Sequence, residues 1–511
     1  MNTYDLEKYL KTHFGFDTFR EGQKEIISDV LNGYDVLGVL PTGTGKSICY
    51  QLPAMLLDGI TVVVSPLVSL MVDQVRQLKA AGFKRVAAIN SFLDPRQKRQ
   101  VLDRLSHYRL LYLSPEMLQN QHVADRLGIM DVALFVVDEA HCISQWGHEF
   151  RTDYLRLGDM IGKMGRPPVL ALSGTATPEV QSDIIRQLDC EGMQLHIYPM
   201  DKANISFVVE HVNHSDQKVD KLTELLAHNH APAMIYFSSR LQAENTAHEL
   251  MRRLSDRQVA YYHGGMEHTD RLLIQQQFMN GQLDVICCTS AFGMGIDKKD
   301  IRLVIHYHIP PQLESFIQEV GRAGRDGNHS ISIILYAPSD DMLPKKLIQS
   351  ELPSTSDLDC IFSYLHTITH EDQPLPVDAV VMEETGLPEI QWRFIKHHLK
   401  RHQLLEDNIL ITNRDKWEVM KEEVERVVRD RYTYKMMKLS ELIMSLQTQG
   451  CRRVMLYKPF QKDIKEPVVP CCDHCGFAWQ KVRFDIAKRN PETLDWIARL
   501  NRLFLQGEAN G

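Results

Sequence analysis

The sequence predicts an α/β protein with two parallel-sheet domains followed by a mainly helical region, and three observations carry that reading. Short apolar, β-branched segments alternate with helical stretches as far as about Pro338, the pattern of parallel strands covered by helices on both faces. A Gly/Thr turn and a pair of acids stand at the ends of two of these segments, where open parallel sheets place their ligands. Beyond Pro338 the strand series stops, and a cluster of cysteines follows.

The first strand series runs Val36 to Leu40, Thr61 to Ser65, Val86 to Ile89, Leu110 to Leu113, Leu134 to Asp138 and Val169 to Ser173. Continuous apolar runs of this kind suit strands buried on both faces. A second series comprises Ala233 to Phe237, Val259 to Tyr262, Val285 to Thr289, Leu303 to His306 and Ile331 to Tyr336. These define a second α/β domain, and Leu352 to Asp357 reads as a linker. After it, Val377 to Pro388 suits a helix and turn, Glu389 to His402 a second helix, and Ile409 to Thr412 a strand. That order suggests a winged-helix insert. From Gln391 to Gln403 no acid occurs while Arg393, Lys396, Lys400 and Arg401 are basic, so this helix either lies against a phosphate backbone or packs on the core.

Composition bounds the function classes. The 511 residues, 44% hydrophobic and 24% charged, leave room for about three or four ordinary globular domains. A net charge of -8 and pI near 6.3 exclude a uniformly basic surface, so any nucleic-acid site is a local patch. The polar start Met1 to Glu7 is unlike a signal peptide, and no apolar run reaches the roughly 20 residues of a membrane span. The expected setting is the cytoplasm, on the nucleoid in a bacterium, with no membrane partner.

Pro41-Thr42-Gly43-Thr44-Gly45-Lys46-Ser47 falls between a strand and a helix. Small residues there let backbone N–H groups face the phosphates of ATP, with Thr42, Gly43, Thr44 and Gly45 forming the loop. Lys46 adds a point charge, and Ser47 is placed to ligate Mg²⁺. Leu40 stands where the strict phosphate-loop pattern has its first glycine. The acids Asp138 and Glu139 suit holding Mg²⁺ and orienting the attacking water. Gln318 to Gly327 supplies Arg322 and Arg325 from the second domain, so one arginine becomes a finger on the γ-phosphate if the domains close on ATP. The alternative for that segment is a solvated Arg-Gly loop.

Asp138 runs without a break into His141, Gln145, Trp146, Phe150 and Arg151. The aromatic faces can stack nucleic-acid bases at ~1 to 3 kcal/mol each, and Arg151 can attract phosphate. Alternatively, Trp146 and Phe150 pack this loop onto its own domain. Cys451, Cys471, Cys472 and Cys475 offer four thiolates, enough for a closed tetrahedral Zn²⁺. Adjacent ligands are geometrically tight, so His474 in place of Cys471 stays open.

Together these motifs resemble the RecQ helicases of superfamily 2, over roughly the first 340 residues and again at the cysteines. Further segments fall in the family's order: Ser65 to Gln74, Tyr112 to Glu116, Ser173 to Thr177, Tyr236 to Arg240 and Ala291 to Lys298. The resemblance makes the two α/β domains RecA-like. It implies that Phe14 to Gln23 reads adenine, with Phe16, Arg20 and Gln23 as contacts, Phe16 as a core aromatic being the alternative. It implies that His141 and Gln145 relay DNA binding at Trp146, Phe150 and Arg151 to the γ-phosphate, and that Lys46, Asp138, Glu139, Gln318, Arg322 and Arg325 serve hydrolysis. The implied activity is an ATP-, Mg²⁺- and Zn²⁺-dependent 3′ to 5′ DNA helicase acting in replication, recombination or repair. Its partners would be single-stranded and partly duplex DNA, with single-strand-binding or repair proteins.

Two departures stand out. More than a hundred residues separate Gly327 from Cys451, and some 36 follow Cys475, so the chain reads as a short form without the family's terminal winged-helix and HRDC domains. The expected divisions are 1–202 and 203–345 for the RecA-like domains, 346–418 for the insert, 419–480 for the zinc-binding module and 481–511 for a short basic tail. Rival readings are a DNA-stimulated translocase that remodels nucleoprotein without extensive unwinding, an RNA helicase, and a zinc-dependent DNA-binding scaffold with a vestigial ATPase. The intact set of Lys46, both acids and both arginines argues against the scaffold.

Overall fold

The computed structural model describes residues 5–66, 68–90, 92–118, 120–144, 151–292, 298–370, 374–406 and 408–484. Seven strands form the first sheet: β1 (Val36–Val39), β2 (Ile60–Val64), β3 (Val86–Ile89), β4 (Leu110–Leu113), β5 (Val132–Val137), β6 (Val169–Ser173) and β7 (Gln194–Ile197). They pair in parallel in the order β3-β4-β2-β5-β6-β1-β7. The interior strands are buried on both faces, which is why they read as unbroken apolar runs. Because β5, β6 and β1 are neighbours, the segments that follow them meet above one edge of the sheet. The backbone ties them directly: Leu40 N donates to Ser173 O at 3.1 Å, and Asp138 N to Val64 O at 2.8 Å.

The second sheet comprises β8 (Ile205–His211), β9 (Ala233–Tyr236), β10 (Val259–Tyr262), β11 (Val285–Cys288), β12 (Leu303–His306) and β13 (Ser330–Tyr336), all parallel in the order β10-β11-β9-β12-β13-β8. Two strands of these sheets are additions to the sequence reading. The β7 edge strand is mostly exposed and so lacks an apolar run, while β8 begins just behind the domain boundary and was taken into neither series. Its outer edge is covered by the cysteine segment: Phe207 N donates to Cys471 O at 3.1 Å and Val209 N to Asp473 Oδ2 at 3.1 Å. Covering removes an open row of backbone donors and acceptors.

After the helix Met342–Glu351, the insert contains helices Thr355–His370, Asp378–Thr385 and Glu389–Arg401, then the hairpin of β14 (Leu405–Glu406) and β15 (Ile409–Leu410). Pro374 bridges Ile409 and supplies a third short edge, so helix, edge, two helices and hairpin follow in winged-helix order. A separate apolar core, including Leu365, Val381, Trp392, Ile395 and Leu410, holds it together. That core extends to Met420 and Val424 on the helix Arg414–Gln447. The expected division at 418 and 419 therefore falls inside one continuous helix, and that at 345 and 346 inside Met342–Glu351. Helical periodicity crosses both points unbroken, which left no signal to place a boundary.

The basic helix Glu389–Arg401 does not stand free. Arg393 pairs with Glu389, Lys396 with Asp378 and Arg401 with Glu423. Lys396, Lys400 and Arg401 line a cavity of about 1070 Å³ opposite Asp153, Arg156 and Asp159 of the first domain. At the other end of the described chain, Trp479 packs into the second domain's core, with Val482 and Phe484 against it. No helix among the described residues is long and apolar enough to cross a membrane.

Candidate nucleotide site and its coupling segment

One cavity of about 350 Å³ lies between the two sheets and is lined from both. From the first domain come Thr42, Gly43, Gly45, Lys46 and Ser47, the acids Asp138 and Glu139, and Phe16, Arg20 and Gln23. From the second come Gln318, Arg322, Arg325 and Lys299. Gly43 and Gly45 have φ of 89° and 78°, a conformation that costs L-residues energy and lets the loop curl over its own helix terminus. Ser47 sits at the start of the helix Ile48–Leu56. Lys46 turns back toward β6, so that a β-carbon on Gly174 would stand 3.0 Å from its Nζ.

The acids differ in setting. Asp138 is buried, accepts from Glu139 N at 3.0 Å and from Ser65 Oγ at 3.4 Å. Burial first, and then the charge of Glu139, pushes its carboxyl up to about 7 against the pull of Lys46. Two adjacent carboxylates in a partly dry cavity favour a bound cation. Glu139 has a φ of 49°, a strained backbone for a non-glycine residue and a frequent mark of functional sites. His141, fully buried, presents Nδ1 at 3.5 Å from Glu139 Oε2 and 3.1 Å from Ser173 Oγ.

Phe16 is 45% exposed at the cavity, which leaves its ring face available and disfavours the core alternative. Gln23 is buried and its Nε2 donates to Thr44 O at 2.8 Å and Gly45 O at 3.0 Å, while Arg20 Nη1 donates to Gly43 O at 2.6 Å. Both side chains therefore brace the phosphate loop from behind. Arg325 lies across that loop from the second domain, within 3.0 Å of where a β-carbon of Gly43 would stand. Arg322 is buried beside it, and the turn that carries both is held by Asn204 Nδ2 donating to Gly324 O at 2.9 Å. The solvated Arg-Gly loop is thereby excluded for this segment.

Residues 145–150 lie outside the described residues, so the expectations for Gln145, Trp146 and Phe150 have no placement. Both ends of that segment are anchored. Ser144 Oγ donates to Asp183 Oδ2 at 2.7 Å. Arg151 N donates to Cys142 O at 3.0 Å, and its Nη1 to Pro66 O at 3.0 Å. The guanidinium expected to attract phosphate thus donates to the segment that follows β2.

Cys451, Cys471, Cys472 and Cys475 bring their sulfurs within 4.8 Å of one another. His474 instead accepts from Arg452 Nη2 at 3.0 Å, while the sulfur of Cys471 lies with the other three. Arg452 also clamps Asp473 through Nε at 2.6 Å. Its neighbour Arg453, buried, pairs with Asp201 and donates to Lys202 O at 3.0 Å, tying the cysteine region to the crossing between the sheets.

Lys299 was missed by the sequence reading. It stands one residue past the Ala291 to Lys298 segment, and the signal was a second lysine at its end. Lys298 instead pairs with Asp300 over the Phe278 ring, a structural use.

Two family models match the chain, "DEAD/DEAH box helicase" over residues 20–184 and "Helicase conserved C-terminal domain" over residues 217–327. Across 98% of its length the chain is 41% identical to the Bacillus subtilis protein named "Probable ATP-dependent DNA helicase RecS", of which it covers 98%. It is 40% identical over 349 residues to "ATP-dependent DNA helicase RecQ" of Haemophilus influenzae, spanning 68% of this chain and 55% of that one. Among solved structures, the Mycobacterium smegmatis helicase Lhr bound to ssDNA and AMP-PNP superposes with a TM-score of 0.58 at 20% identity, covering 81% of this chain and 60% of Lhr. That likeness is one of fold.

Proposed function

The chain belongs to the RecQ family of ATP-dependent DNA helicases, and on that premise we propose that it moves 3′ to 5′ along single-stranded DNA by closing its two RecA-like domains on ATP. The observation that carries this reading is the single cavity where Lys46, Asp138 and Glu139 face Gln318, Arg322 and Arg325. Phosphoryl transfer asks a protein mainly to position water and neutralise charge, and these residues divide that work. The loop from Thr42 to Ser47 would cradle the phosphates, Glu139 would orient the attacking water, and Arg325 would act as the finger because it lies so close over Gly43 that a β-carbon there would stand 3.0 Å from it. The buried pair of acids fits Mg²⁺, which Ser47 and Asp138 would hold; when bound it supplies charge neutralisation at the phosphates. Phe16 would stack on adenine, and Arg20 and Gln23 would couple base occupancy to loop shape through their bonds to Gly43, Thr44 and Gly45.

DNA would bind at residues 145–151, with Trp146 and Phe150 as stacking faces. His141 links that segment to the chemistry, since its ring meets both Glu139 and Ser173. The four thiols fit a structural Zn²⁺: they are soft donors of the right number, gathered from two segments. Such an ion would fix the strip that covers β8. A cytoplasmic, nucleoid-associated protein that also meets single-strand-binding or repair proteins is the setting consistent with the bacterial relatives.

The test is ATP-dependent unwinding of 3′-tailed, 5′-tailed and forked duplexes. The reading expects unwinding of the 3′-tailed and forked substrates only. Unwinding that requires a 5′ tail would reverse the polarity, and DNA-stimulated hydrolysis without unwinding of any substrate would replace the helicase reading with a translocase.

A further inference from the structure

His398 lies in the last turn of Glu389–Arg401 and His402, four residues on, is its C-cap, a spacing that brings both imidazoles to the same side of the helix end. Glu423 reaches them from the helix Arg414–Gln447. One ligand atom from each of the three lies within 4.8 Å of the others, with His402 Nε2 at 2.8 Å and His398 Nδ1 at 4.0 Å from the two carboxylate oxygens of Glu423. We propose that His398, His402 and Glu423 form a second metal site, separate from the four cysteines, which binds a divalent transition cation with Zn²⁺ as the best fit.

The second observation is His398 itself. It is 4% exposed, and its Nδ1 is buried without a hydrogen-bond partner while facing the carboxylate. An orphaned buried nitrogen costs about 1 to 3 kcal/mol, and a cation between the imidazoles and Glu423 satisfies it. Nitrogen and oxygen donors suit Zn²⁺, Co²⁺ or Ni²⁺ and disfavour Mg²⁺ and Ca²⁺, which require mainly oxygen. Tetrahedral Zn²⁺ with bonds of about 2.0 to 2.1 Å sets its ligands roughly 3.3 Å apart, so from donor atoms within 4.8 Å of one another the widest pair closes by at most about 1.5 Å, while the 2.8 Å His402–Glu423 pair opens by roughly 0.5 Å. Arg401, which pairs with Glu423 at 2.8 Å, has a side chain 59% exposed and can swing outward to release the carboxylate. A fourth position is left for water.

Occupancy would staple the basic helix to the long helix that leads into the cysteine region. Other residues of the basic helix, Arg393, Lys396 and Lys400, line the cavity facing Asp153 and Arg156 of the first domain, so the metal would set how firmly the insert presents that face to the first domain.

The experiment loads the full chain with Zn²⁺ or Co²⁺, removes excess by gel filtration, and measures metal per chain by mass spectrometry alongside the Co²⁺ absorption spectrum. Three variants are compared: H398A/H402A, the gentler E423Q, and C472S/C475S. Thiolate charge-transfer bands report the cysteine cluster, and d–d bands without them report the nitrogen and oxygen site. The proposal expects C472S/C475S to keep one Co²⁺ showing d–d bands alone. It expects H398A/H402A and E423Q each to lose one metal per chain while the thiolate bands persist. It is overturned if C472S/C475S binds no metal while folded by circular dichroism, or if E423Q and H398A/H402A both bind as much as the wild type. Loss of thiolate bands from the wild type would strike the cysteine assignment alone.

Discussion

His141 Nδ1 lies 3.1 Å from Ser173 Oγ and 3.5 Å from Glu139 Oε2, so one buried imidazole meets both the acid two residues past β5 and the end of β6. These strands are neighbours, and Lys46 reaches toward Gly174 just beyond Ser173. His141 also stands three residues before Ser144, where the anchored stretch ends and the aromatic loop begins. On the proposed function, His141 would carry a shift of that loop on binding DNA to the group proposed to orient water.

Replacing Arg325 by Ala should lower kcat for ATP hydrolysis by about 10³-fold, the scale of an arginine finger. Binding of ATP should weaken far less, because the phosphate loop and Lys46 remain. Steady-state hydrolysis with saturating single-stranded DNA measures both. A change confined to KM would reassign Arg325 to ground-state binding.

Arg453→Ala should destabilise the chain by about 3 to 5 kcal/mol, since it strands the buried Asp201 carboxylate. Both side chains are almost fully enclosed, at 1% and 0% exposed, so solvent screens the pair little. Urea unfolding reads the loss; a cost under about 1 kcal/mol, typical of a surface pair, would contradict the assignment.

The second domain should lose stability as pH falls. Burial first, helped by the Lys218 charge, holds the His308 imidazole down at about 4, and its Nδ1 accepts from Ser238 N at 3.2 Å. The unfolded chain then binds more protons than the native one below its ordinary pKa of about 6.5, so stability drops between that value and about 4. The expected contribution at pH 5 is about 1 to 2 kcal/mol, discounted for partial exposure. Urea midpoints at pH 7 and pH 5 should separate more in the wild type than in His308→Asn. Equal separation would remove His308 as the cause.

Much of this was legible in sequence because strands buried on both faces leave unbroken apolar runs, and because Lys46 and Asp138 stand in segments with few alternative uses, whereas the segment of Arg322 and Arg325 read equally well as a solvated loop. The exposed β7 carried no such run. The number and type of the thiols were readable, yet the choice between Cys471 and His474 depended on Arg452, which binds His474 Nε2. Gln23 was readable as a site residue, whereas its bonds to the carbonyls of Thr44 and Gly45 depend on how the loop curls. Lys299 enters the cavity only because the second sheet faces the first, a tertiary relation that local spacing does not encode.

The measurement that tests coupling most directly is the ratio of DNA-stimulated to basal kcat in His141→Ala, with ATP affinity followed separately by a fluorescent analogue. This ratio should fall by about 10- to 100-fold, the weight of a hydrogen bond to a charged group, while ATP affinity stays within about twofold. A stimulation ratio equal to the wild type's would contradict that coupling.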